Sequence, residues 1–338
     1  MKRRNISYEC NSTKNFWHKE FVRAYQLKKL PRDTTPLRYP GGKGSLKYFL
    51  ANVVDVNGLR GQSIVEPFCG GAGASIPLLL TGIVSKLYLN DANPAVAAFW
   101  KILIEDTEAL INLVRHTPVT VEQWRWWKEV LSHPVDASDL ELGFAAFFMN
   151  RCNRSGLLAG GPIGGLDQSG DYKIDCRFNR EELVSRIQEI ALHREKIVVN
   201  NTDACGYLRS LAPDVTDNSL IFIDPPYVVQ GRNLYKGTVF DEPKHRELAD
   251  YIKLKDWRWL ITYDDHPLIH QLYAERTRGV FELSYLMQQA KIGRELLVAS
   301  THCRVPLPYN QTSDTAGNDI QQASDIVFDQ PRARGSIQ

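Results

Sequence analysis

Asp224-Pro225-Pro226-Tyr227 stands directly after the apolar run Leu220 to Ile223. A carboxylate accepts hydrogen bonds, two prolines fix two φ angles and supply no amide hydrogen, and tyrosine ends the turn as a flat ring. Acceptor, stiff turn and stacking surface together suit a planar substrate that carries an NH2 group. A second set is glycine-rich. Leu37-Arg38-Tyr39-Pro40-Gly41-Gly42-Lys43 lacks the first glycine and the Ser or Thr after lysine that a phosphate-binding Walker loop needs. Glu66-Pro67-Phe68-Cys69-Gly70-Gly71-Ala72-Gly73 is followed about 20 residues later by Asp91, the spacing at which an acid grips ribose hydroxyls in nucleoside-binding α/β folds. Asp203 ends a similar polar segment, and for each of these acids a helix cap or turn is the competing role. Metal chemistry has little support. His266 and His270 have helical ligand spacing but no central Glu and no third ligand, and the six cysteines form no C-x-x-C pair.

The elements that must carry these residues alternate. Ser63–Val65, Leu87–Leu89, Ile197–Val199, Leu220–Ile223 and Trp259–Thr262 read as short buried strands, and Leu283–Tyr285 with Glu295–Ser300 as an antiparallel pair. Helical patterns follow at about 46–54, 74–80, from Pro94 onward and at about 243–254. The acids then lie at carboxyl ends of strands, the edge at which open α/β sheets bind ligands. Residues 105–195 break the alternation and read as an inserted unit of helices and loops. It contains Trp124, Trp126 and Trp127 among basic residues, and the glycine-rich stretch 150–165. For the tryptophans, packing is favoured over a nucleic-acid surface.

With 338 residues and 43% hydrophobic content, the chain can bury a full core. No run of about 18 apolar residues appears and the first residues carry no apolar leader, so a cytoplasmic protein without a membrane span is expected. Residues 1–32 hold nine Lys or Arg and two Glu, a local +7 on a chain whose total is +2, so the remainder carries −5. A basic arm over 1–36 fits contact with a nucleic-acid backbone, and a solvated surface helix fits it equally. Beyond 305 the polar composition predicts a disordered tail, 306–338.

Taken in order, Leu37–Lys43, Val65–Ser75, Asp91, Asp203 and Asp224–Tyr227 closely resemble the Dam-like, alpha-group DNA adenine-N6 methyltransferases, from about residue 37 to 302. Asn150–Gly156 and Gly293–Leu297 also look like features of that family. The resemblance implies a Rossmann-like S-adenosylmethionine-dependent methyltransferase sheet over 37–104 and 196–305, with a DNA target-recognition insertion over 105–195. It implies S-adenosyl-L-methionine as cofactor, held by Tyr39, Gly41, Gly42, Lys43, Glu66, Phe68, Gly70, Asp91 and Asp203, with Lys43 near the cofactor carboxylate. It implies no metal. The family's Phe-x-Gly-x-Gly is met at Phe68 and Gly70 but not at Ala72, which leaves the loop's conformation open. Asp224, Pro225, Pro226 and Tyr227 would form the catalytic clamp on an adenine flipped out of double-stranded DNA. Arg151, Arg154 and Gln168 are candidates for base or phosphate contact, or for plain surface loop. A restriction endonuclease partner, a monomer or weak dimer, and association with the nucleoid complete the expectation. Cytosine-N4 or protein-amide methylation, and a DNA-binding protein without turnover, are the competing readings.

Overall fold

The structure is a computed structural model describing residues 29–38, 43–228, 240–285, 291–306 and 327–329. Tyr39, Gly41, Gly42 and residues 1–28 of the basic arm lie outside the described residues. The strands are β1 (Ser63–Glu66), β2 (Lys86–Asn90), β3 (Ile197–Asn200), β4 (Ser219–Ile223), β5 (Trp259–Asp264), β6 (Thr277–Tyr285), β7 (Lys291–Ala299) and β8 (Val327–Asp329). They form one sheet in the order β3-β2-β1-β4-β5-β7-β6-β8, parallel from β3 to β5, with β7 antiparallel to β5 and β6. The order reverses direction between β1 and β4, the switch point at which such sheets open a crevice. The Rossmann-like sheet expected from the sequence is therefore the observed one.

The continuous apolar character of β4 has its reason in this topology. All five of its residues are buried because both faces of the central sheet are covered. Successive side chains feed two cores: Leu220 and Phe222 on one face, Ile221 and Ile223 on the other. Helices α1 (Lys47–Val56), α2 (Ile76–Leu80), α3 (Pro94–Glu105), α4 (Thr107–His116), α5 (Val121–Ser132), α6 (Asp139–Cys152) and α7 (Arg180–Ala191) supply side chains to the first core. Helices α8 (Ala204–Ser210), α10 (Glu242–Lys253) and α11 (Pro267–Leu272) serve the second, and the short α9 (Pro213–Asp217) leads into β4.

The helices of the inserted stretch share the core of the sheet. Trp124, Trp127, Phe144, Phe147 and Phe148 are buried in the same cluster as Ile64 and Leu220. Trp126, on the other side of α5, is 63% exposed. Helix α6 starts with a reciprocal capping box between Ser138 and Glu141 and is buried from Leu142 to Cys152, so it runs through the core instead of over it. Within the polar stretch beyond 305, one short segment is described. Val327–Asp329 adds to the sheet edge as β8, paired with Arg278–Val280, because β6 offers an open edge to any extended segment of the chain. At the other end Leu30 is fully buried and its amide donates to the Tyr48 hydroxyl at 3.0 Å, fastening the end of the arm to α1.

Candidate active site

Strand register brings the acids together. Val65 of β1 lies opposite Ile221 of β4, so Glu66 and Asp224 emerge at neighbouring carboxyl ends. Ile223 lies opposite Ile261, which sets Asp224 level with Thr262 of β5, and the Thr262 hydroxyl donates to Asp224 Oδ1 at 2.6 Å. The second carboxylate oxygen, Oδ2, is 3.0 Å from Lys43 Nζ. That ammonium also donates to the Tyr227 hydroxyl at 2.7 Å and lies 4.9 Å from the centre of the tyrosine ring. Beyond the turn, the Val228 amide donates to Asp264 Oδ1 at 3.1 Å, which holds the chain leaving Tyr227 against the end of β5.

Lys43 thus stands against the Asp224–Tyr227 turn. Its buried ammonium contacts the Asp224 turn, and it faces a third acid: Glu295 of β7, with Oε2 at 3.7 Å. The local electrostatics are strongly acidic. Burial pushes the Glu66 carboxyl up to about 8, against a hydrogen bond from Ser75, with Asp224 adding to the rise. Burial likewise raises Glu295 to about 7, against the pull of Lys43. Burial also raises the Tyr227 phenol well above its ordinary value, reinforced by Asp224, so it is protonated at neutral pH. The two glutamates retain protons in the fold that the unfolded chain releases near 4.5, so their ionisation costs stability as pH rises toward 8. A cationic ligand beside them would offset that cost.

Next to this cluster lies the glycine loop. Asp91 accepts from the Gly70 amide at 3.0 Å and the Asn93 amide at 2.9 Å. Desolvation raises it to about 6 although both amides stabilise its charge. Gly70 and Ala72 both have φ of +45°. Ala72 therefore takes a left-handed conformation without being glycine, at a strain of roughly 1–2 kcal/mol that glycine would avoid. Buried Asn90 fastens three strand ends, donating to the Pro67 and Thr202 carbonyls, both at 2.9 Å, and accepting from the Thr202 amide at 3.1 Å. Phe68 meets Phe240 edge to face at 5.2 Å. Asp203 is half-exposed and caps α8 through the Gly206 amide at 2.9 Å, with Lys244 3.7 Å away. The capping role weighed for this acid is real, and its other oxygen, Oδ1, is the one that faces Lys244.

The inserted loop is tied to the segment that ends at Arg38. Asn150 accepts from the Arg38 amide at 2.6 Å and donates to the Arg38 carbonyl at 2.7 Å and the Gly156 carbonyl at 2.9 Å. Two of the three candidates for DNA contact make hydrogen bonds within the fold. Arg151 is 7% exposed, and its Nε donates to the Arg177 carbonyl at 2.8 Å. Burial lowers its guanidinium to about 10, with Arg38 adding to the drop. Gln168 spends its amide on the carbonyls of Ile163 and Gly165 and on the Ile174 amide, at 2.8, 2.6 and 2.8 Å. Both hold the loop in shape. Arg154 alone of the three is exposed. Among the described residues no group of three His, Cys, Asp or Glu could hold a metal, and no helix is long and apolar enough to cross a membrane.

Sequence reasoning assigned no role to Thr262, Glu295 or Asn90. Thr262 gains its contact from strand register alone, which the sequence does not display. Glu295 did leave a trace, as the single acid in the apolar end of β7.

Comparison with known proteins follows this geometry. The family described as D12 class N6 adenine-specific DNA methyltransferase matches residues 39–289. Among solved structures, the chain is similar to the rRNA methyltransferase aviRa from Streptomyces viridochromogenes, with 12% identity, 79% of this chain and 88% of that chain covered, and a TM-score of 0.32. No curated protein sequence matches it. The match spans both the glycine-loop strands and the Asp224–Tyr227 turn at the switch point, so the chain belongs to the D12 class of N6 adenine-specific DNA methyltransferases.

Proposed function

We propose that this adenine-specific DNA methyltransferase takes its methyl group from S-adenosylmethionine and acts at a defined sequence, on an adenine flipped out of duplex DNA. The observation that carries the reading is the double anchoring of Asp224 by Thr262 and Lys43 at the carboxyl end of β4. The donor fits the chemistry of the crevice: Glu66 Oε1 is buried without a hydrogen-bond partner, and Asp224 and Glu295 share one lysine. An acidic crevice with an orphaned acceptor suits a ligand bearing positive charge. When bound, that cofactor supplies an electrophilic methyl group. Glu66, Phe68, Gly70 and Asp91 would hold it, with Tyr39, Gly41 and Gly42 closing over it and Asp203 at its adenine.

The chain's own residues must do the rest. The adenine amine is a weak nucleophile because its lone pair is spread into the ring. Asp224 and the Pro225 carbonyl accept its two hydrogens, which localises the pair and favours the positive charge that develops on nitrogen. Pro226 stiffens the turn so that both acceptors stay aimed, and Tyr227 stacks on the extruded base, offsetting part of an unstacking cost of a few kcal/mol. Holding the reactants in line contributes roughly 7 to 11 kcal/mol in well-oriented systems. Further expectations are an arm that contacts the DNA backbone, a monomer or weak dimer in the cytoplasm associated with the nucleoid, and a restriction endonuclease partner.

The test is expression in a host without adenine methylases, followed by mapping of modified bases. N6-methyladenine confined to one sequence motif is expected; absence of any modified adenine, or modification of cytosine, would overturn the reading. Arg154 is the residue proposed to read or grip the target from the insertion. Its alanine variant is expected to lose about 1–3 kcal/mol of discrimination at one base position. Equal weakening on all sequences would reassign it to phosphate contact.

A further inference from the structure

Glu295 is 1% exposed, and the Tyr227 hydroxyl is the hydrogen-bonding group beside its carboxylate. Its contact with Lys43, at 3.7 Å, is too long to repay the desolvation of a buried acid. An apolar side chain at this position in β7 would cost the fold less. The groups that face it are Lys43, Asp224, Tyr227 and Asp264, and the pairing of Asp264 with Glu295 fixes it at the sheet edge that carries Asp224.

The lysine meets conflicting demands. Thr262 occupies Asp224 Oδ1 and Lys43 engages Oδ2, so a substrate amine can gain Asp224 fully only if the ammonium withdraws. From its present position a shift of under about 1 Å toward Glu295 brings the ammonium within hydrogen-bond range. We propose that Glu295 is a positioning residue that takes over the Lys43 ammonium from Asp224 when the target amine arrives, releasing a full carboxylate to the amine. No bond is made or broken in this exchange and no proton moves; a charge slides between two carboxylates, with the Tyr227 hydroxyl contact as pivot. The proposal rests on the reading that Asp224 receives the amine.

Only ionised Glu295 can take the ammonium. Its carboxyl is raised to about 7 by burial, so the protonated form below that pH leaves Lys43 on Asp224. The single-turnover methylation rate, with saturating duplex DNA and S-adenosylmethionine, is expected to rise with pH through about 7. Glu295→Gln is expected to lose that limb and to run roughly tenfold slower above it, with DNA and cofactor affinity within about twofold. Glu295→Asp is expected to restore the limb at a shifted pH.

A wild-type rate that is flat between about pH 6 and 9 would overturn the proposal. So would Glu295→Gln with the wild-type rate and limb, because the limb would then belong to another group such as Glu66. If the glutamine variant does not fold, Glu295→Asp decides, and an unmoved limb overturns the idea. Failure of the parent reading is distinguishable. Turnover by Asp224→Ala would remove both, whereas loss of turnover there beside an unaffected Glu295→Gln removes the exchange alone.

Discussion

Asp224→Ala is expected to lose at least about 10³-fold in the rate of methyl transfer while still binding duplex DNA. Removal of a single preorganised hydrogen-bond group at a developing charge typically costs 10²–10³-fold. Here the side chain also fixes the amine's position, so the upper end is the floor. Nothing in the described contacts of Asp224 reaches the insertion or the arm; its partners are Thr262 and Lys43. DNA affinity at fixed salt should therefore move little. Asp224→Asn is the sharper variant, since it keeps the shape and the bond to Thr262 but removes the charge, and it is expected to be nearly as slow. Labelled-methyl transfer under single-turnover conditions, beside DNA titration at one salt concentration, makes the measurement. A rate within tenfold of wild type would remove Asp224 from the chemistry.

Gly156→Ala is expected to be the most damaging small substitution in the insertion. Gly156 has a φ of +74°, and a methyl group there would meet the Arg38 carbonyl oxygen at 2.2 Å, a contact with backbone that no rotamer change relieves. Left-handed strain and overpacking together suggest roughly 2–5 kcal/mol. The thermal midpoint should fall by at least about 3 °C. Gly161→Ala is the control: a methyl there meets nothing within 4 Å, and it should change stability by no more than about 0.5 kcal/mol. The damage should also reach function. The Arg38 carbonyl that would be displaced is held by Asn150 and immediately precedes the Tyr39–Lys43 segment. An increase in the cofactor concentration needed for half-maximal rate is expected, and a stable variant with unchanged cofactor dependence would separate the insertion from that segment.

The glycine loop and the insertion show where reading from residue types succeeds and where it stops. Gly70 and Asp91 are meaningful in one dimension because a strand, a tight turn and a distal acid have a fixed spacing, and they do meet, at 3.0 Å. Arg151 and Gln168 have the right functional groups for base recognition, yet both spend them on carbonyls inside the fold. Residue type cannot separate those uses, because an arginine that grips a guanine and one that grips a loop carbonyl carry the same donors.

By itself, the sequence determined the alternation of strand and helix and the stiff Asp224–Tyr227 turn at a strand end. Those follow from local rules: the two-residue and 3.6-residue periods of burial, and the fixed φ of proline. Tertiary structure alone decided what surrounds the turn. Thr262 reaches Asp224 through parallel register, and Glu295 reaches Lys43 because an antiparallel strand is laid beside β5. Lys43 arrives across 181 residues of chain to stand on Asp224. Register and chain crossing are set by the packing of two cores on one sheet, and no local property of these side chains encodes them.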